Sequence, residues 1–302
     1  MAGKWHAELT LMQILAENDL VPALIRNAMT IDVEDYFQVS AFAPHISRDQ
    51  WDHLPCRVER NIERILALLD EKNVKATFFT LGWIANRYPQ LVRSIVDNGH
   101  ELASHGYHHL RVSDQTPDEF RNDITRSKKL LEDLGGQSVI GYRAPSFSIS
   151  THNLWALDML LEAGYSYSSS IYPIKHDHYG MPEAPRFKFQ PRGQSGLVEL
   201  PATTVTLFGR NIPAGGGGYF RLLPYNLSRW LMRRVNHADR QPCIFYFHPW
   251  EIDPGQPRQK NVGIKTRFRH YVNLARTEPR IRALLRDFQW GRMDHIFMGE
   301  DE

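Results

Sequence analysis

The stretch Ser104-His105-Gly106-Tyr107-His108-His109 puts two imidazoles, His105 and His109, four residues apart, directly after the apolar pair Leu102-Ala103. One helical or tight-turn revolution brings side chains at that spacing to the same side. Two histidines just past a strand end can begin a transition-metal site, since imidazole nitrogen suits zinc-like ions. A histidine-rich surface turn has the same appearance, so the pair needs partners from elsewhere in the chain. Three stretches offer them: the acidic run Asp32-Val33-Glu34-Asp35, the cation Arg143 and a further histidine, His248. Each follows a run that reads as a strand. A lone buried His or Arg is usually satisfied by a carbonyl or an ion pair; four such groups at successive strand ends are hard to attribute to packing.

The elements that would position these residues alternate along the chain. Strands are expected at 28–31, 76–81, 101–103, 139–143, 165–168, 197–200 and 243–247, with a last short one at 296–298. Helices are expected at about 57–71, 88–98, 117–134, 151–163 and 225–236, from apolar residues at helical spacing. Such alternation implies parallel strands covered by helices. No Gly-rich dinucleotide turn follows the first strand, which disfavours a nucleotide-binding sheet. The expectation is an α/β fold, an irregular (β/α) barrel of about seven parallel strands, with its site at the C-terminal strand ends. Gly215 to Gly218 lack the Lys-Ser/Thr and leading strand of a phosphate loop and read as a flexible lid or tight turn.

Composition narrows the classes. Of 302 residues, 42% are hydrophobic and 23% charged, as in a soluble globular protein. A net charge of +2 points to no nucleic-acid partner. Arginines from Arg229 to Arg286 give the C-terminal third a basic lean, read as a solvated helix face, with an anionic glycan or lipid phosphate as the sharper alternative. Cys56 and Cys243 form no disulfide framework or metal spacing. No apolar run is long enough for a membrane span and no secretory signal is evident, so a cytoplasmic protein is expected. Residues 1–28 read as an N-terminal extension, 29–250 as the barrel with a loop insertion around 173–222, and 251–302 as a helical C-terminal extension packed on it.

Read together and in order, these motifs resemble the polysaccharide deacetylases with NodB homology, the carbohydrate esterase family 4 type. Thr30-Ile31-Asp32-Val33-Glu34-Asp35 is similar to the first motif, with its base aspartate and acidic metal ligand; His105 to His109 to the second, the metal histidines. Arg143-Ala144-Pro145-Ser146-Phe147 is similar to the third motif and Phe245 to His248 to the last. The segments 165–172, 209–223 and 266–293 further resemble a subgroup found with exosortase-linked exopolysaccharide gene clusters. The resemblance implies one divalent metal, zinc first, and N-acetylated polysaccharide or a lipid-linked oligosaccharide as partner. By it, Asp32 is the base, His248 the acid and Arg143 the residue that holds Asp32. Ser146 lends an oxyanion N–H, with Pro145 and Phe147 beside it.

Two departures stand out. The family's first motif has adjacent aspartates, whereas Val33 follows Asp32 here. Residues i and i+2 of a strand face the same way, which makes Glu34 the ligand candidate; Asp35 serves if the chain turns sharply. Gly106 stands where the family often has Ser or Thr. His108 is expected to be a bystander, and His176-Asp177-His178 a substrate loop or a second metal site. Trp83, Tyr172, Phe220 and Trp250 are candidates for stacking on sugar rings, or else core.

Overall fold

A computed structural model describes residues 25–176, 179–193, 196–259 and 261–299. The expectations for most of the N-terminal extension and for Asp177 and His178 lie outside them. The strands are β1 (Arg26–Val33), β2 (Thr77–Thr80), β3 (Glu101–Ser104), β4 (Gly141–Tyr142), β5 (Tyr167–Ser168), β6 (Val198–Glu199), β7 (Thr204–Leu207), β8 (Arg210–Pro213), β9 (Ile244–Phe247) and β10 (Gln289–Gly291). The helices are α1 (Val58–Glu71), α2 (Gly82–Arg87), α3 (Pro89–Asp97), α4 (Pro117–Gly135), α5 (Trp155–Glu162), α6 (Gly217–Leu222), α7 (Tyr225–Arg234), α8 (Ile264–Tyr271) and α9 (Leu274–Asp287).

Eight strands form one parallel sheet in the order β10-β1-β2-β3-β4-β5-β6, with β9 also on β1. The second edge of β1 is shared: Arg26 to Ala28 pair with β10, and Ala28 to Ile31 with β9. The expected parallel α/β barrel is therefore present, and it is irregular. Between β6 and β9, among the described residues, no strand pairing closes it. The chain from Thr203 to Gly216 runs there instead, with Tyr246 N–H donating to Gly215 O at 2.7 Å. The glycines are what permit this approach. A Cβ on Gly216 would lie 2.0 Å from the Tyr246 carbonyl oxygen. The run read as a lid or turn thus packs flat against β9.

Strand alternation sets the two faces. In β1, Met29, Ile31 and Val33 join the outer core shared with α1, while Ala28 belongs to the interior cluster with Phe79, Ala103 and Ile244. Thr30 and Asp32 continue that inward row, and Glu34 prolongs it. The same parity brings Ala103 and His105 inward from β3, and Ile244, Tyr246 and His248 inward from β9. The helices cover the outside. In α1, Val58, Ile62, Ile65 and Leu69 are buried along one stripe. Thr116 caps α4 through a capping box with Glu119.

One expectation fails toward the C-terminus. The last strand is Gln289–Gly291 and not 296–298, where the chain turns into a π-helix, Asp294–Met298. An apolar triplet at a chain end does not distinguish a strand from a helical turn. The region after 250 is mostly helical, as its spacing suggests, and its one strand, β10, enters the main sheet among the described residues.

Candidate metal and acid–base site

The inward row of β1 ends at Asp32. Its Oδ1 accepts from Arg143 Nη1 at 2.6 Å. That nitrogen also donates to Thr30 Oγ1 at 2.8 Å, and Thr30 donates onward to Phe245 O at 2.9 Å. Arg143 Nη2 reaches Ser169 Oγ at 3.1 Å, and the guanidinium lies over the Phe79 ring, 4.0 Å from its centroid. Arg143 is fully buried, so its charge is matched by Asp32 and its remaining donors by hydroxyls and a carbonyl. The pair locks the Asp32 carboxylate at the mouth of the barrel.

Glu34, His105 and His109 come together beside it: one potential ligand atom from each lies within 4.8 Å of the others, and all three residues are buried. His105 Nδ1 lies 2.8 Å from the Arg143 carbonyl oxygen. A carbonyl only accepts, so the ring carries its proton on Nδ1 and Nε2 is left with a bare lone pair. Burial pushes the His105 pKa down to about 4, which keeps the ring neutral, as a ligand must be. Glu34 Oε2 is buried with no aligned hydrogen-bond donor, although His109 Nε2 is only 2.7 Å away. Burial alone would raise the Glu34 pKa, but His109, His248 and His105 hold it well below the ordinary carboxylate range. A buried anionic oxygen without a donor, beside two imidazoles, fits a divalent cation.

Asp35 takes another course. Its Oδ2 accepts from the main-chain N–H of Arg57 at 2.5 Å and Val58 at 2.9 Å, and its Oδ1 from Tyr36 N–H at 2.8 Å. It satisfies amides at the start of α1, where a carboxylate is favoured. Asp35 therefore lies outside the Glu34, His105 and His109 trio, with both its oxygens engaged by main-chain amides. The turn carrying the histidines explains Gly106: its φ is +75°, and a Cβ there would lie 2.7 Å from Asp123 Oδ2. Asp123 accepts from Tyr107 N–H at 2.9 Å and so holds the turn, leaving no room for the family's Ser or Thr. His108 stands outside the trio, edge-on to Tyr107.

His248 closes the opposite side. Its Nδ1 lies 2.8 Å from Glu251 Oε1, so that nitrogen donates, and its Nε2 faces Glu34 Oε1 at 3.6 Å and Asp32 Oδ2 at 3.9 Å. Burial works to lower its pKa, but Glu34, Glu251 and Asp32 outweigh it and raise the value to about 9. These carboxylates favour the protonated form of the imidazole. Its ring stacks on Trp250 (centroids 5.2 Å apart), and Trp250 stacks in turn on His270 of α8 (4.2 Å, 13° between planes). Trp250 Nε1 donates to Glu34 Oε1 at 3.1 Å.

The rings read as sugar platforms are mostly interior. Tyr172 is 0% and Trp250 5% exposed, and Phe220 is buried in the outer core. A ring enclosed on both faces cannot offer one to a ligand. Pro145 and Phe147 are also buried, Phe147 against Tyr172 and Tyr246. Of that loop Ser146 alone is partly exposed, held at φ +58° with Phe147 at +49°, and its hydroxyl is 2.6 Å from Ser40 Oγ. Two successive non-glycine residues in the left-handed region mark stored strain. His176 stacks on Tyr179, 4.0 Å between centroids. Glu251, Arg221 and His270 were not among the expected site residues. A carboxylate three residues after His248 was the one available signal for Glu251; the other two come from remote sequence.

Residues 50–167 match the family model described as Polysaccharide deacetylase, and residues 169–298 match a domain of unknown function, DUF3473. The boundary falls within one sheet, since β6, β9 and β10 of the second region pair with strands of the first part of the chain. A peptidoglycan-N-acetylglucosamine deacetylase of Bacillus cereus is 36% identical over 96 residues, 32% of this chain and 35% of that protein. The chain thus spans about a third of that relative's length. A solved structure described as a candidate polysaccharide deacetylase from Mycobacterium smegmatis superposes with a TM-score of 0.56 at 24% identity, covering 91% of each chain. Puue Allantoinase shares the fold as well (TM-score 0.54, 17% identity, 89% of this chain and 87% of that one). Fold, motif order and family match agree: the chain carries a domain of the polysaccharide deacetylase family, of the NodB, carbohydrate esterase family 4 type.

Proposed function

We propose that the chain is a metal-dependent N-deacetylase removing acetyl groups from N-acetylhexosamine units of a bacterial exopolysaccharide or its precursor. The observation that carries this reading is the buried Glu34–His105–His109 trio flanked by Asp32 on one side and His248 on the other. The trio would hold one divalent cation, zinc by its donor types, leaving positions open. When bound, such an ion supplies an acidified water and a Lewis acid for the acyl oxygen.

The chain's own groups do the rest. Asp32 takes the proton of the attacking water as general base. Arg143 aims that carboxylate and favours its charged form. The main-chain N–H of Ser146 donates to the developing oxyanion. His248 gives its proton to the departing amine, in a position set by Glu251 and the Trp250 face. Trp250 acts as a positioning residue, because its indole N–H fixes the outer oxygen of Glu34 while its ring fixes His248. Acetate and a free amino sugar result.

The test is acetate release from N-acetylglucosamine oligomers by metal-free protein and by protein reloaded with zinc. Release that returns with zinc supports the reading; metal binding without release from any oligomer sinks the glycan part of it. A second reading, hydrolysis of a small non-glycan amide, is favoured by the enclosure of Tyr172 and Trp250, which leaves few rings for a polymer. Small amides belong in the same assay. Zinc binding with no hydrolysis of either class would leave a glycan-binding module.

A further inference from the structure

The short helix α8 has two unlike faces. Inward, His270 stacks on Trp250, its Nε2 is 2.7 Å from Gln256 Oε1, and its carbonyl accepts from the buried Arg221 at 2.6 Å. That face is therefore fixed to the wall of the site. Outward, Ile264 is 87% and Phe268 58% exposed. They stand four residues apart and share one side of the helix. Lys265 and Arg269 flank this ridge on one side and Arg267 on the other, all three exposed. Among the described residues none of these cations is paired with an acidic side chain. Single exposed apolar residues are ordinary; an apolar ridge flanked on both sides by cations with no acidic partner among the described residues, on a helix held rigid from behind, is not.

We infer that the outer face of α8 docks on an anionic lipid surface, with Ile264 and Phe268 entering the acyl boundary and Lys265, Arg267 and Arg269 at the phosphate level. The pattern is that of an interfacial helix. An anionic polymer would match the cations but offer no hydrocarbon to Ile264 and Phe268; a bilayer matches both. Its place matters for function. Two ring stacks, His270 on Trp250 and Trp250 on His248, connect this helix to the proposed proton donor. A bilayer against α8 lies one helix diameter, roughly 10 Å, from the cleft wall. Given the proposed deacetylase function, a glycan whose end is anchored in that bilayer is then the substrate class presented to the cleft.

The test is flotation of the full chain with vesicles of phosphatidylcholine alone or with about a third phosphatidylglycerol, at low and high salt. The expected result is capture by the anionic vesicles only, weakened by salt. Ile264→Ser/Phe268→Ser and, separately, Lys265→Gln/Arg267→Gln/Arg269→Gln should each reduce capture at least tenfold, while acetate release from a soluble oligomer stays as in wild type. Wild type that ignores both vesicle types, or variants captured as well as wild type, overturns the assignment. So does capture lost on deleting residues 1–24 but kept in the Ile264/Phe268 variant, which would place the contact elsewhere. Vesicle capture by a protein that releases no acetate would refute the deacetylase reading and leave the docking surface standing.

Discussion

The two ends of the barrel interior each bury carboxylates, with opposite results. At the C-terminal end Asp32 and Glu34 lie among Arg143, His105, His109 and His248. At the other end Glu101 and Asp294 are as well buried, but among the described residues Glu101 meets only a hydroxyl from Thr77 (2.5 Å), one from Tyr167 (2.7 Å) and the Asp294 N–H (3.2 Å). Burial raises the pKa at both ends. Histidines reverse this at Glu34, whereas burial and the neighbouring Asp294 push Glu101 up to about 8. Arg292 pairs with Asp294. Burial does not decide whether a carboxylate keeps its charge; its partners do. One end carries the anions a cation site needs, and the other a carboxyl group, its pKa raised by burial, that ties β2, β3 and β5 to the turn after β10.

The contrast can be broken most severely at the trio. His109→Ala should abolish zinc retention on gel filtration and acetate release together, while the fold persists by circular dichroism. Asp32→Asn should keep the zinc and lose about a thousandfold in kcat, the scale of a general base; unchanged turnover would remove Asp32 from that role. Trp250→Phe keeps the stacked ring but not the N–H. Zinc affinity, measured by competition with a chromophoric chelator, should fall about 10- to 100-fold, as for other outer partners of metal ligands. An unaltered affinity would show that the hydrogen bond to Glu34 is incidental.

The smallest effect belongs to the other end. Between its ordinary 4.5 and about 8, Glu101 binds a proton in the native protein that the unfolded chain has released. Stability should therefore fall as pH rises through that window. Glu101→Gln, neutral throughout, should flatten the fall when urea midpoints are compared at pH 5 and pH 8. Parallel slopes in the two proteins would mean that Glu101 ionises normally and that the ends are alike.

The meeting of the candidate residues was largely legible because strand parity is local. Asp32 and Glu34 share a face whatever surrounds them, and the spacing of His105 and His109 is a property of six residues. The alternation of apolar runs was enough for a parallel α/β barrel. What the sequence left open was enclosure and partnership. Trp250 and Tyr172 were candidates for sugar stacking because an aromatic ring near a motif looks the same in sequence whether it is open or enclosed. Asp35 stood beside Glu34 as a ligand candidate until the amides of Arg57 and Val58 were found on its Oδ2 and that of Tyr36 on its Oδ1.

By itself, the sequence determined the parity of each strand, the order of the motifs and the chemistry available at each strand end. Only the tertiary structure decided which of those groups meet. The Trp250 indole reaches Glu34 across 216 residues, and β9 and β10 fold back onto the two halves of β1. The physical reason is that local pattern fixes the direction in which a side chain points, while the partner it finds there depends on how distant strands close the barrel.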